Sequence, residues 1–255
     1  MTPLGVLDWG IGGLDVVRKL RRAGHHRPIL YVSDAGAPPY GTLSDEALAD
    51  RVGAMIAALA AHGCDDIVVG CNAASTVLSA IPARPGVRVR GVIAPAVADV
   101  LHAGHGDVLI IGGTRTIASE AYATALRPHG VRVRSRVAQP LSALVEAGVL
   151  QGPRLQACLD AILDPVRNAT VLVSACTHYL AVESALRRAL PRLTDIVDPA
   201  QALVHRHFAP CPGRGTDRFW TTGDPHASRR AASSAFGFDA AFEPAGSRMP
   251  QPADA

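Results

Sequence analysis

Lysine is almost missing from this chain: Lys19 stands alone among 25 basic residues, and the other twenty-four are arginine. Pyridoxal phosphate enzymes hold their cofactor as a Schiff base on a lysine. Lys19, set in a polar helical stretch, is a poor candidate, so pyridoxal chemistry is close to excluded. No uncharged apolar run reaches about 18 residues, which argues against a membrane-spanning helix. The opening stretch MTPLGVLDWG has neither the positive charge nor the apolar stretch of a secretory signal, so the expected compartment is the cytoplasm. No CxxC pair occurs among the five cysteines, and their number is odd, which speaks against a disulfide framework or a zinc cluster. His102 and His105 have HxxH spacing but no third ligand at a matching distance; they read as surface residues, and no metal is expected. The net charge is only +3, without a basic run interleaved with aromatics, so no nucleic-acid partner is expected. GxGxxG is absent as well. Gly10, Gly12 and Gly13 have the wrong spacing for a dinucleotide site and suit a tight strand-to-helix turn beside a small ligand.

What the chain does have is apolar content and alternation. Of its 255 residues 48% are hydrophobic and 24 are glycine, enough for a real core with tight turns. Short β-branched runs at 5–8, 29–34, 66–70, 87–93, 107–112, 131–137, 170–175 and 194–198 alternate with helix-like stretches. The clearest helix begins near Ser44, carries Leu48, Val52, Met55, Ile56 and Leu59 on one face, and stops at Gly63. The fold class expected from this alternation is α/β with parallel sheets. The two halves repeat the scheme, one ending in VVGCNAAST and the other in LVSACTHYL, so two similar domains would face each other across a cleft. The expected division is 1–95 plus 208–242 for the first domain and 96–207 for the second. Residues 210–215 would cross between them, and 243–255 would form a disordered tail.

Cys71 and Cys176 each follow such a run and precede an expected helix start. In open α/β sheets ligands bind beyond the carboxyl ends of the strands. A helix N-terminus there favours a thiolate or a bound carboxylate. A free cysteine is commonly no more than a buried small hydrophobe, and Cys64, Cys158 and Cys211 are read that way. His178, two residues after Cys176, also permits a nucleophile with its own base, but that hydrolase reading leaves Cys71 unexplained. Asn72 and Thr177 directly follow the two cysteines and could hold a carboxylate or cap the next helix. Asp8 lies at the tip of the first strand, and Tyr40 and Gly41 stand in a Pro-Gly loop that could line the cleft.

Eight blocks in order carry a resemblance: DWGIGGLDV, SDAGAPPYGTLS, VVGCNAAST, GVIAPA, GGTRTIASEAY, LVEAG, ACTHYL and TTGDP. Together they resemble the cofactor-independent aspartate/glutamate racemase family, its glutamate-specific branch most of all, up to about Asp239. The resemblance implies two pseudo-symmetric parallel-sheet α/β domains with the active site in the cleft between them. It implies no cofactor and a small acidic amino acid or related carboxylic acid as the partner. A homodimer is compatible with it. It also implies a two-base reaction interconverting L- and D-glutamate, in which Cys71 serves the D-isomer and Cys176 the L-isomer. Asp8 and His178 would assist the two thiols, with Glu146 a weaker candidate. Trp9, Tyr40, Gly41, Asn72, Ala73, Thr116 and Thr177 would bind substrate.

Three positions depart from the pattern. Trp9 replaces a serine, Ala73 replaces a threonine, and Gly113 stands where relatives carry a threonine. A lost hydrogen bond to a charged ligand costs roughly 1.5–3 kcal/mol. A second reading therefore keeps the site but gives it a different carboxylic acid, to be racemised, isomerised or decarboxylated. A third is a non-catalytic homologue acting through a protein partner. The resemblance implies a product used in peptidoglycan biosynthesis, and the second reading one used in specialised metabolism.

Overall fold

Ten strands form two separate, wholly parallel sheets in the computed structural model, which describes residues 1–213 and 215–250. In chain order they are β1 (Leu4–Asp8), β2 (Ile29–Ser33), β3 (Asp66–Val69), β4 (Arg88–Gly91), β5 (Asp107–Gly112), β6 (Arg132–Val137), β7 (Val171–Ala175), β8 (Asp195–Val197), β9 (Arg218–Thr221) and β10 (Phe242–Pro244). The first sheet runs β10-β9-β2-β1-β3-β4 and the second β6-β5-β7-β8. Each β-branched run named above became a strand, with its ends moved by a residue or two. Strands covered on both faces need continuous apolar runs, which is why these were readable; β1, β2, β3 and β7 are buried along their whole length. The architecture is thus the expected pair of parallel-sheet α/β domains.

Register brings the chemistry to one place. In β1 and β3, Leu7 pairs with Val69, and the Gly70 N–H donates to the Leu7 carbonyl at 2.8 Å. Asp8 and Cys71 therefore leave the first sheet at the same end. In the second sheet Gly112 pairs with Ala175, so the loops carrying Thr116 and Cys176 start side by side. One apolar core joins the two sheets, with Leu4, Val6 and Tyr31 from the first clustered with Leu109, Ile111 and Leu172 from the second.

The helix Asp45–Ala61 obeys its sequence closely. The Ser44 hydroxyl accepts from the Ala47 N–H at 3.2 Å, a standard N-cap. Leu48, Val52, Met55, Ile56 and Leu59 are buried, each contributing about 1.5–3 kcal/mol. Gly63, at φ +88°, takes the left-handed conformation that ends the helix.

Beyond the 210–215 loop, of which Arg214 lies outside the described residues, β9 pairs with β2 in the first sheet. Two details depart from expectation. The edge strand β10 then pairs with β9, Phe242 beside Phe219; it is short and ends in proline, too weak a signal to read. The disordered tail expected from 243 is corrected up to 250: Met249 is buried, and the Arg248 guanidinium lies 5.2 Å from the Trp220 ring centroid. The reason is that Trp220 offers a ring face that the returning segment covers. Residues 251–255 of that expected tail lie outside the described residues. Lys19, in its polar helical stretch, is buried in ion pairs with Asp15 and with Asp198 at 2.7 Å. No helix among the described residues is long and apolar enough to cross a membrane.

Candidate active site

A cavity of about 80 Å³ opens at the carboxyl ends of the strands, between the two sheets. That volume restricts the occupant to a small molecule. Asp8, Cys71, Cys176 and His178 all line it, and so do Trp9, Tyr40, Gly41, Asn72, Ala73, Thr116 and Thr177. The eleven residues singled out in the sequence thus share one wall-to-wall space, joined by Gly113, Arg115, Gln139 and Ser142 among others.

The first-sheet side is built around Cys71, which is the N-cap of the short helix Asn72–Ser75. The Ser75 hydroxyl donates to the Cys71 carbonyl at 2.8 Å and accepts from the Val92 N–H at 3.2 Å, fixing this turn to β4's continuation. Burial pushes the Cys71 thiol well above its ordinary value, and the charge of Asp8 pushes it further. The N–H groups of Ala74 and Ala73 pull the other way by bonding the sulfur. Asp8 is itself raised, burial being the largest cause, against the pull of His178 and of the Thr177 hydroxyl. A carboxylate made less acidic in this manner is a better proton acceptor than one in water.

The second-sheet side centres on His178. Its Nε2 lies 2.6 Å from Glu146 Oε1 and its Nδ1 lies 3.7 Å from Cys176 Sγ. Burial works against the charged imidazole, but the hydrogen bonds and negative charge of Cys176 and Glu146 outweigh it and carry His178 well above its ordinary value. The surroundings of the ring therefore favour its protonated form. Glu146 stands behind the pocket wall and reaches the site through His178.

The two sides are stitched together at atomic distance. The Thr177 hydroxyl donates to Asp8 Oδ2 at 3.0 Å across the cleft. The glycine turn after β1 allows this approach: a Cβ on Gly12 would fall 2.1 Å from Thr177 Oγ1 and 3.1 Å from His178 Nδ1. One on Gly10 would fall 2.7 Å from Glu146 Oε1. These glycines serve close packing of the second half's loop against the first, not a phosphate.

Binding groups follow. Tyr122 donates to Asn72 Oδ1 at 2.7 Å, and the buried Asn72 Nδ2 is left without a partner. Trp9 is an apolar wall: its indole N–H is spent on the Ala37 carbonyl at 3.0 Å. Gln139 Oε1 accepts from the Thr114 N–H at 3.1 Å, beside Gly113. Sequence reasoning missed Gln139, Ser142, Tyr122 and Arg115; only Gln139 had a usable signal, its place directly after β6. His105 pairs with Asp195 at 2.8 Å, apart from the pocket. Among the described residues no group of three or more His, Cys, Asp or Glu side chains could hold a metal. Cys64 is buried, its thiol pushed up to about 12 by desolvation.

Comparison with known proteins agrees with this layout. The model of the family described as Asp/Glu/Hydantoin racemase matches residues 4–206. A glutamate racemase of Shouchella clausii (strain KSM-K16) is 31% identical over 246 residues, covering 91% of this chain and 89% of that protein. The crystal structure of a glutamate racemase isoform from Bacillus anthracis superposes with a TM-score of 0.86 at 26% identity, covering 98% of this chain and 99% of that one. That of a Thermus thermophilus glutamate racemase, in complex with β-chloro-D-alanine, gives 0.77 at 28% identity, with coverage of 100% and 96%.

Proposed function

This chain belongs to the Asp/Glu/Hydantoin racemase family, and we propose that it interconverts L- and D-glutamate by a two-base proton transfer, one of Cys71 and Cys176 removing the α-proton and the other supplying a proton to the opposite face. The observation that carries the reading is the pairing of two cysteines on one small cavity, one from each sheet, each with its own helper. Glutamate is the substrate named in its relatives from Shouchella clausii, Bacillus anthracis and Thermus thermophilus.

The proton transfer balances as follows. From D-glutamate, the Cys71 thiolate takes the α-proton and becomes a thiol, and the electron pair stays on the α-carbon and its carboxylate. The Cys176 thiol then gives its proton to the opposite face and becomes the thiolate. The reverse sequence converts the L-isomer. The proton removed and the proton returned are different ones, and exchange of both thiols with solvent restores the starting state, so nothing is consumed. Asp8 relieves Cys71 of its proton before the D-isomer reacts. The His178 imidazolium stabilises negative charge on Cys176 before the L-isomer reacts. The Asn72 amide and the backbone N–H groups at the two loop starts meet the substrate carboxylate and the charge that builds on it.

The test is α-proton exchange in deuterated water, starting separately from each isomer. Deuterium should enter the product isomer, and replacing either cysteine by serine should stop interconversion. If folded enzyme exchanges the α-proton of neither isomer, glutamate is not the substrate.

A further inference from the structure

Arg115 takes no part in that proton transfer, yet it places a buried guanidinium at the rim of the pocket. It stands in the short helix Thr114–Ala118 after β5, on the second-sheet side. Its donors all cross to the first-sheet side. Nε donates to the Tyr40 carbonyl at 3.2 Å, Nη2 to the Leu43 carbonyl, and Nη1 to Asp45 Oδ1 at 2.5 Å. The three acceptors belong to one segment, 40–45, which includes the pocket residues Tyr40 and Gly41 and leads into the helix Asp45–Ala61.

That segment is also fixed from behind. The Tyr40 hydroxyl donates to Asp34 Oδ2 at 2.7 Å, and Asp34 is held in turn by Arg51 Nε at 2.8 Å and the Thr222 hydroxyl at 2.9 Å. The ring of Tyr40 is thus anchored within its own half, while its backbone is tied across the cleft. Swinging the segment outward would strip a buried guanidinium of three acceptors at once, a cost far above that of one neutral hydrogen bond. A guanidinium spreads its donors over a rigid planar fork that matches acceptors set along one segment, whereas an ammonium group gathers its donors at a single point.

We infer that Arg115 is a cross-cleft latch, a positioning residue that holds the Tyr40–Gly41 lip closed, and that ligand enters and leaves by its release. The kinetic arm of the test rests on the proposed glutamate reaction; the exchange arm does not.

Hydrogen–deuterium exchange of the free full-length protein would be followed in segment 40–45, for wild type, Arg115→Ala, Arg115→Lys and Asp45→Asn. Steady-state racemisation would be measured with both glutamate isomers. Arg115→Ala should speed exchange in 40–45 and raise KM for both isomers, each by about tenfold or more, with kcat reduced far less. Arg115→Lys should fall between it and wild type, and Asp45→Asn should show a smaller change in the same direction. Unaltered exchange in 40–45 in folded Arg115→Ala overturns the latch, whatever the substrate. Loss of kcat at unaltered KM also overturns it, by placing Arg115 in the chemistry. Should Arg115→Ala not fold, Asp45→Asn, which changes only an exposed side chain, decides by the same two readouts. If wild type leaves the α-proton of glutamate untouched, the proposed function falls while the exchange result still judges the latch.

Discussion

Glu146 Oε1 sits 2.6 Å from His178 Nε2, on the side of the ring opposite Cys176. The carboxylate neither lines the pocket nor faces the thiol, yet it shares the imidazole that does. A chain Glu146–His178–Cys176 therefore ends at one side of the cavity, while the charge of Asp8 acts on Cys71 at the other. The two thiols stand in different surroundings, one beside an imidazole and one beside a carboxyl group.

Glu146→Gln should expose that difference through pH. Glu146 is one of the two partners that raise His178, so its neutralisation lowers the ring's pKa. The alkaline limb of kcat/KM for the L-isomer should move to lower pH, more than that for the D-isomer. Stability follows the same sign. A raised imidazole contributes stability that is fully present below the unfolded value of about 6.5 and is lost as pH rises through the folded pKa. Denaturant melts should therefore show Glu146→Gln losing stability mainly near neutrality and below. Equal movement of both limbs would break the assignment of His178 to the Cys176 side.

Thr177→Val acts on the opposite thiol. It removes a hydrogen bond that favours the charged form of Asp8 and leaves burial unopposed by that contact. The carboxyl should rise further, and the acid limb of kcat/KM should shift to higher pH. A carboxyl raised by burial weakens the fold as pH climbs from the unfolded value of about 3.9 through the folded one. Denaturant titrations across that window should show the variant losing stability over a wider pH range than wild type. An unmoved acid limb would separate Asp8 from the proton path.

Much of this architecture was legible because parallel strands buried on both faces carry a continuous apolar signature. Cys71 and Cys176 were legible for the same reason, since each directly follows such a run. The three-residue strand β10 was not, because its last residue is a proline and it pairs only at an edge. The burial of Lys19 was not legible, because a polar helix patch and a buried ion cluster look alike until Asp198 arrives from far along the chain. Arg115 and Tyr122 were unreadable for a related reason: their partners lie about 70 and 50 positions away, in the other half.

Gly12→Ala tests the close approach of the two loops. The added methyl would overlap Thr177 Oγ1 and crowd His178 Nδ1, so either loop must yield. Overpacking of this kind costs about 1–3 kcal/mol. Turnover should fall more than stability, by about a hundredfold, since sub-ångström placement of His178 and Asp8 governs proton transfer. Thermal melts set beside kcat measure the two effects. A variant of normal kcat would mean that the loops are free to separate.

Tyr122→Phe addresses how the ligand is held. The Tyr122 hydroxyl donates to Asn72 Oδ1 at 2.7 Å, and this fixes the orientation of the amide. Nδ2, a donor, is left buried with no partner within the protein, and in the proposed reaction it is the end that meets the substrate. Without the hydroxyl the amide can turn and present its oxygen to a carboxylate, where it repels. The loss of one buried hydrogen bond should lower stability by about 1 kcal/mol. The kinetic change should fall on KM for both isomers, about tenfold, because a contact to the carboxylate made before proton transfer is common to ground and transition states. Asn72→Ala should raise KM by as much, and the double variant no further, since both act through one amide. Additive losses in that cycle would show that Tyr122 reaches the ligand by a route other than Asn72.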